Sequence, residues 1–444
     1  MARDMKSDVE LRIDEVRRAL LEAVLSNEPL TIVKAPPGSG KTRLTLDAAA
    51  LLLDEKARVA IVAQTNSQAD DICRRFVEDF GANVVRFHSG TGLRPSGLPD
   101  GVQLVSKSAW LPTGPIVAVG TSAKWGLTGI PAARFDWLLV DEAWQLSYAD
   151  FMLMQKVAPR FVMVGDPGQI LPVVSIDASR WEVADTPPHR PAPQILIEQH
   201  EQTQPRVLEL PATWRLPPDS ALVVNEFYDF KFESAVGPGE RSFSIGQREG
   251  KSEYDPVIEM LESGSMVGVT LPTPEGGPPL EEDREVAVAA AELVRRILSS
   301  DVTLRIDGED RALEAADIGM VATHRVMNTR MREALPPPVA SEIMVDTTER
   351  WQGLQRPIMI AIHPVSGVTD PGVFDLETQR LCVMASRHQI GLIIVTRDHL
   401  PRTLHELTPS ATQHPGRPDA SGDGREKHEQ FWGDLERAGR VVAL

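Results

Sequence analysis

Apolar runs of strand length alternate with longer stretches of helical spacing along most of the chain. Residues 31–33, 58–63, 83–87, 116–119, 135–140 and 161–164 read as buried strands, because each apolar run soon ends in small or polar residues. Residues 8–25 carry charges interleaved with Val, Leu and Ile at helical spacing, which predicts an amphipathic helix beside the first strand. Further helices are expected over 43–53 and from the break at 64–67 through Phe80. Apolar strands alternating with helices predict an α/β fold with a parallel sheet covered on both faces. Ligand groups are then expected at the carboxyl ends of the strands.

Residues 89–101 are rich in Gly, Pro and Ser and read as a loop. Residues 175–204 show little periodicity and are taken as the link to a second unit that opens near 206–210. That unit repeats the alternation, with strands at 318–322, 343–345, 357–362 and 390–395 and a helix at 282–298. A polar, Pro/Gly-rich linker over 403–425 precedes a last helix at 426–438, with Phe431, Trp432 and Leu435 on its apolar side. The expected division is 1–204, 205–402 and a tail at 403–444.

The 444 residues suffice for about two to three ordinary domains. The balance of 42% hydrophobic and 25% charged residues is that of a soluble chain. No apolar run is long enough to span a bilayer, the first residues are no signal peptide, and a membrane partner is not expected. Two distant cysteines, Cys73 and Cys382, give no metal spacing and fit a reduced cytoplasm. The net charge of −17 requires any surface for nucleic acid to be a local strip on an acidic body.

The stretch from Thr31 to Thr42 carries the strongest chemical signal. A strand, a GxxxxGK[ST]-type loop and a helix make a phosphate cradle. Gly38 and Gly40 let backbone N–H groups converge on an anion, and the helix start adds its positive end. Pro37, Gly38, Ser39, Gly40, Lys41 and Thr42 are the candidate nucleotide-binding residues. Lys41 is placed to reach the β/γ-phosphates and Thr42 to hold Mg²⁺. Asp141 and Glu142 end another apolar run, where one carboxylate suits the metal and the other the attacking water. Gln169, in Gly165-Asp166-Pro167-Gly168-Gln169, suits a sensor of the γ-phosphate or the water. The bland readings are a linking turn, an acidic helix start and an Asp-Pro-Gly turn.

As an ordered set these motifs resemble superfamily 1 helicases. APPGSGKT is similar to their motif I, VDEAWQ to motif II and GDPGQILP to motif III. Residues 212–215, 318–325, 347–353 and 381–387 continue the match through motifs IV, V and VI. The resemblance spans roughly residues 15–396 and is closest to the superfamily 1B branch that includes the RNA helicase of nonsense-mediated decay. It implies two tandem RecA-like P-loop domains with minimal accessory domains, an ATP- and Mg²⁺-dependent enzyme, and single-stranded DNA or RNA as partner. It also implies that Arg215 and Arg387 reach the γ-phosphate, Trp214 stacks on the base, Gln355 stands at a ribose contact, and Asn66, Thr121 and Thr347 meet nucleic acid. Core packing for Trp214, surface ion pairs for the arginines and helix caps for Asn66 and Thr121 are the structural alternatives. Lys107, Lys124 and Trp125 lie near the same loops, where they would add charge and stacking.

The family's Gln upstream of the phosphate loop is missing, with Arg17 and Arg18 near that position. Its motif V glutamate is replaced by Gln355. The expected activity is ATP-driven translocation or unwinding on a single strand, in the 5′→3′ direction by branch resemblance. The alternative is a nucleotide-dependent switch or motor subunit with a protein partner, for example a nuclease.

Overall fold

The structure, a computed structural model, describes residues 7–90, 97–131, 134–172, 178–181, 184–237, 239–248, 250–277, 282–407 and 420–444. Parts of the expected loop at 89–101, of the link at 175–204 and of the linker at 403–425 lie outside these. The chain forms two compact units, residues 1–167 with 171–212, and residues 168–170 with 213–444.

The first unit holds strands β1 (Leu30–Lys34), β2 (Arg58–Ala63), β3 (Val84–Phe87), β4 (Val102–Val105), β5 (Ile116–Thr121), β6 (Trp137–Asp141), β7 (Phe161–Gly165) and β8 (Arg206–Glu209). They form one sheet in the order β4-β3-β5-β2-β6-β7-β1-β8, and every pairing is parallel. Alternation along the strands feeds two cores. In β2, Ala60 and Val62 join one apolar cluster, and Val59, Ile61 and Ala63 join the other. This is why the run reads as continuously hydrophobic. The segment expected to open the second unit instead supplies β8, which pairs with β1. Strand β4 follows the expected loop at 89–101, where Val102-Gln103-Leu104-Val105 is too short and mixed to signal a strand.

The second unit opens with a two-residue ribbon, β9 (Ala212–Thr213) and β10 (Glu233–Ser234). A small antiparallel sheet joins β11 (Ser242–Arg248), β13 (Ser300–Ile306) and β14 (Glu309–Ala312). The main sheet combines β12 (Met266–Leu271), β15 (Ile318–Val321), β16 (Met344–Asp346), β17 (Arg356–Ile362), β18 (His388–Arg397) and β19 (Val441–Ala443). Its order is β16-β15-β17-β18-β12-β19, again all parallel. In β17, Ile358, Ile360 and Ile362 face one core, and Met359 and Ala361 the other.

The tail is part of this unit. Helix Ala420–Arg437 buries Phe431, Trp432 and Leu435 in the second core cluster, and β19 extends the sheet by pairing with β12. Its apolar side is therefore used inside the unit and gives no ground for a partner surface.

Candidate active site

In the first unit the candidate residues converge at the carboxyl ends of β1, β6 and β7. Gly38 and Gly40 take positive φ of 71° and 81°, a region open to glycine at little cost. Gly40 caps helix Lys41–Asp54, so Lys41 and Thr42 stand in its first turn. Ala35 occupies the first glycine position of the motif and donates its N–H to the Gly165 carbonyl at 2.9 Å. Ser39 is buried with its Oγ unpartnered.

The Lys41 ammonium lies 3.3 Å from Glu142 and 4.0 Å from Asp166. Thr42 donates its hydroxyl to Asp141 Oδ2 at 2.9 Å, and Asp141 Oδ1 is buried with no hydrogen-bond partner. Burial, reinforced by the Glu142 charge, pushes the Asp141 carboxyl up to about 7. A hydroxyl beside an orphaned carboxylate oxygen is a hard-oxygen pair of the kind Mg²⁺ takes. Among the described residues no group of three or more His, Cys, Asp or Glu is arranged to hold a metal. An ion that keeps several waters and shares phosphate ligands needs no such cage.

Glu142 is held in the left-handed region at φ 53°, uncommon for a residue with a side chain. A Cβ on Gly165 would stand 2.7 Å from the Ala143 nitrogen, so only glycine lets β7 pass this turn. Asp166 was not singled out from sequence, although its place after β7 mirrors that of Asp141 after β6. Arg17 is tied to Asp47 at 3.0 Å.

In the second unit the candidates gather at the amino ends of strands. Gln355 immediately precedes β17, and Arg387 immediately precedes β18. Arg215 donates from Nε to Gln355 Oε1 at 2.7 Å and from Nη1 to the Ser386 carbonyl at 3.1 Å. Arg387 is only 1% exposed, donates from Nε to the Val383 carbonyl at 3.1 Å, and has Nη1 buried without a partner. The surface ion-pair reading does not describe it. Trp214 is 41% exposed, so it is not a core residue. Arg241, which no motif marks, donates to the carbonyls of Trp214 and Arg215. Gln169 is buried in the short segment that packs with this unit, where Gln352 donates to the Ile170 carbonyl at 3.5 Å.

The candidate nucleic-acid residues lie on other loops. Asn66 opens helix Asn66–Phe80 but is not its cap, a role taken by Thr65. Its side-chain oxygen accepts from the fully buried Arg86 at 2.9 Å, and Arg86 is paired with Asp70 at 2.6 Å. Thr121 does cap helix Ser122–Leu127, accepting from the Lys124 N–H at 3.3 Å. Thr347 follows β16, is buried, and donates its N–H to Asp346. Trp125 is a core residue, fully buried, with its indole N–H on the Ile61 carbonyl at 2.9 Å. Lys124 reaches the Ser106 carbonyl at 2.7 Å, and Lys107 lies over the Trp110 ring at 4.7 Å.

Fold and site together have the arrangement of a P-loop nucleotide-binding protein with two RecA-like units. The family model of an AAA domain matches residues 18–175. The chain is 21% identical over 411 residues to the DNA replication ATP-dependent helicase/nuclease DNA2 of Saccharomyces cerevisiae, covering 88% of this chain and 26% of that protein. It is 22% identical over 420 residues to the Xenopus laevis protein of the same name, covering 89% of this chain and 38% of that one. The chain thus spans well under half the length of the curated relatives it matches. A crystal structure of Arterivirus nonstructural protein 10, a helicase, aligns with a TM-score of 0.46 and 12% identity, covering 89% of this chain and 64% of that one. The order of its motifs and these likenesses resemble those of superfamily 1 helicases. Among the described residues no helix is long and apolar enough to cross a membrane.

Proposed function

We propose that this chain is an ATP-driven translocase or helicase on single-stranded nucleic acid, with 5′→3′ polarity by branch resemblance. ATP engages the phosphate loop, Pro37 to Thr42. The observation that supports this most is the first unit's array: Lys41 between Glu142 and Asp166, with Thr42 beside an Asp141 that keeps one buried oxygen unpartnered. Thr42 and Asp141 would hold Mg²⁺, which when bound neutralises charge on the phosphates. Glu142 orients the attacking water, and Arg215 and Arg387 stabilise charge on the transferred phosphoryl oxygens. Trp214 offers an exposed π-face to the base. Asn66, Thr121 and Thr347 contact the strand through phosphates, which carries no sequence preference.

The test is ATP hydrolysis with single-stranded DNA, single-stranded RNA, duplex or no nucleic acid, at fixed salt because phosphate contacts are salt-sensitive. Strong stimulation by single strands is expected. Hydrolysis indifferent to every nucleic acid contradicts the proposal. The fixed-partner alternative draws on the acidic charge, the missing accessory domains and the tail helix, and the burial of Phe431, Trp432 and Leu435 removes the last of these supports.

A further inference from the structure

We propose that Gln355 is a positioning residue that holds Arg215 through an uncharged hydrogen bond and is not a sugar contact. The inference rests on the ATPase reading of the site. Arg215 is fixed from several sides. Its N–H donates to Thr213 Oγ1 at 3.1 Å, Arg241 takes its carbonyl, Ser386 accepts from Nη1 and Gln355 accepts from Nε. A guanidinium has only donors, so the Gln355 amide presents its oxygen and not its nitrogen. Its oxygen is thereby committed to an arginine from the same unit.

The amide at this position has a specific consequence. A carboxylate here would form a charge-assisted bond, about twice as strong as one to a neutral acceptor. It would also cancel part of the positive charge that Arg215 needs for a phosphoryl group. Glutamine orients the side chain without itself neutralising that charge. Arg241, itself paired with Asp307, donates to the backbone carbonyls of Trp214 and Arg215. The two acceptors named for the Arg215 guanidinium, the Gln355 amide oxygen and the Ser386 carbonyl, are both neutral.

The test uses the full chain with its stimulating strand, and the variants Gln355→Glu and Gln355→Ala. Gln355 is exposed, so thermal unfolding should be unchanged in both. For Gln355→Glu the expected result is a kcat lower by about tenfold with the KM for ATP within about twofold, because only a transition-state interaction is weakened. Gln355→Ala should lose less. The ratio of rates with ATP and 3′-deoxy-ATP should be the same in all three proteins. A Gln355→Glu protein as fast as the parent, or one with an altered ATP to 3′-deoxy-ATP ratio, overturns the inference and assigns the position to the sugar. A parent chain with no ATPase at all overturns the underlying reading and this inference with it.

Discussion

The first unit gathers carboxylates around one lysine, whereas the second gathers guanidiniums around carbonyls and an amide. The sheets beneath are alike, parallel and buried on both faces. The two sets use opposite ends of these sheets. Lys41, Asp141 and Asp166 follow the carboxyl ends of β1, β6 and β7, while Gln355 and Arg387 precede the amino ends of β17 and β18. A fold repeated along one chain has thus been given complementary chemistry, one set suited to metal and water, the other to anionic oxygens.

The comparison predicts that the two units fail differently. Replacing Lys41 with Ala should lower ATP turnover by at least about a thousandfold, since it removes a charge from the phosphates throughout the reaction. Steady-state hydrolysis checks this, and a modest loss would shift the weight to the second unit. Next in size is Asp70→Ala, which removes the charged partner of the buried Arg86 guanidinium and should cost the first unit about 3–5 kcal/mol. Chemical denaturation with a probe in each unit should show the loss in the first alone.

A smaller effect concerns acid. His388 and His428 are fully buried in the second unit, and burial drives each imidazole down to about 3 from an ordinary 6.5. Between those values the unfolded chain binds the protons and the folded one does not. Stability therefore rises with pH across that window and is complete above it, at up to about 1.4 kcal/mol per pH unit for each ring. Denaturation at pH 5 and pH 7 should show the second unit weakened by acid, and replacing His388 should flatten the profile. The smallest effect is Thr121→Ala, which removes the cap of Ser122–Leu127 and should cost about 1 kcal/mol. A fall in strand affinity beyond this would mark a phosphate contact besides the cap.

Legibility differed between the units for the same reason. Strands such as β2 and β17 announce themselves because both faces are buried, so their sequences are unbroken apolar runs. The first unit's site could be derived, since a parallel sheet directs ligand groups to carboxyl ends. That rule looks at the wrong end for Arg387 and Gln355, and only motif resemblance pointed to them. Arg241, Arg86 and β19 gave no local signal at all. Their roles depend on carbonyls, a side chain and a strand brought in from distant parts of the chain. Trp125 misled because an indole near a loop looks the same in sequence whether it is buried or free.

The most direct measurement is the single-turnover hydrolysis and ATP affinity of Arg387→Ala. If Arg387 acts on the phosphoryl group of bound ATP, hydrolysis falls by about a hundredfold or more while ATP binds as before. Undiminished hydrolysis in Arg387→Ala would contradict the account.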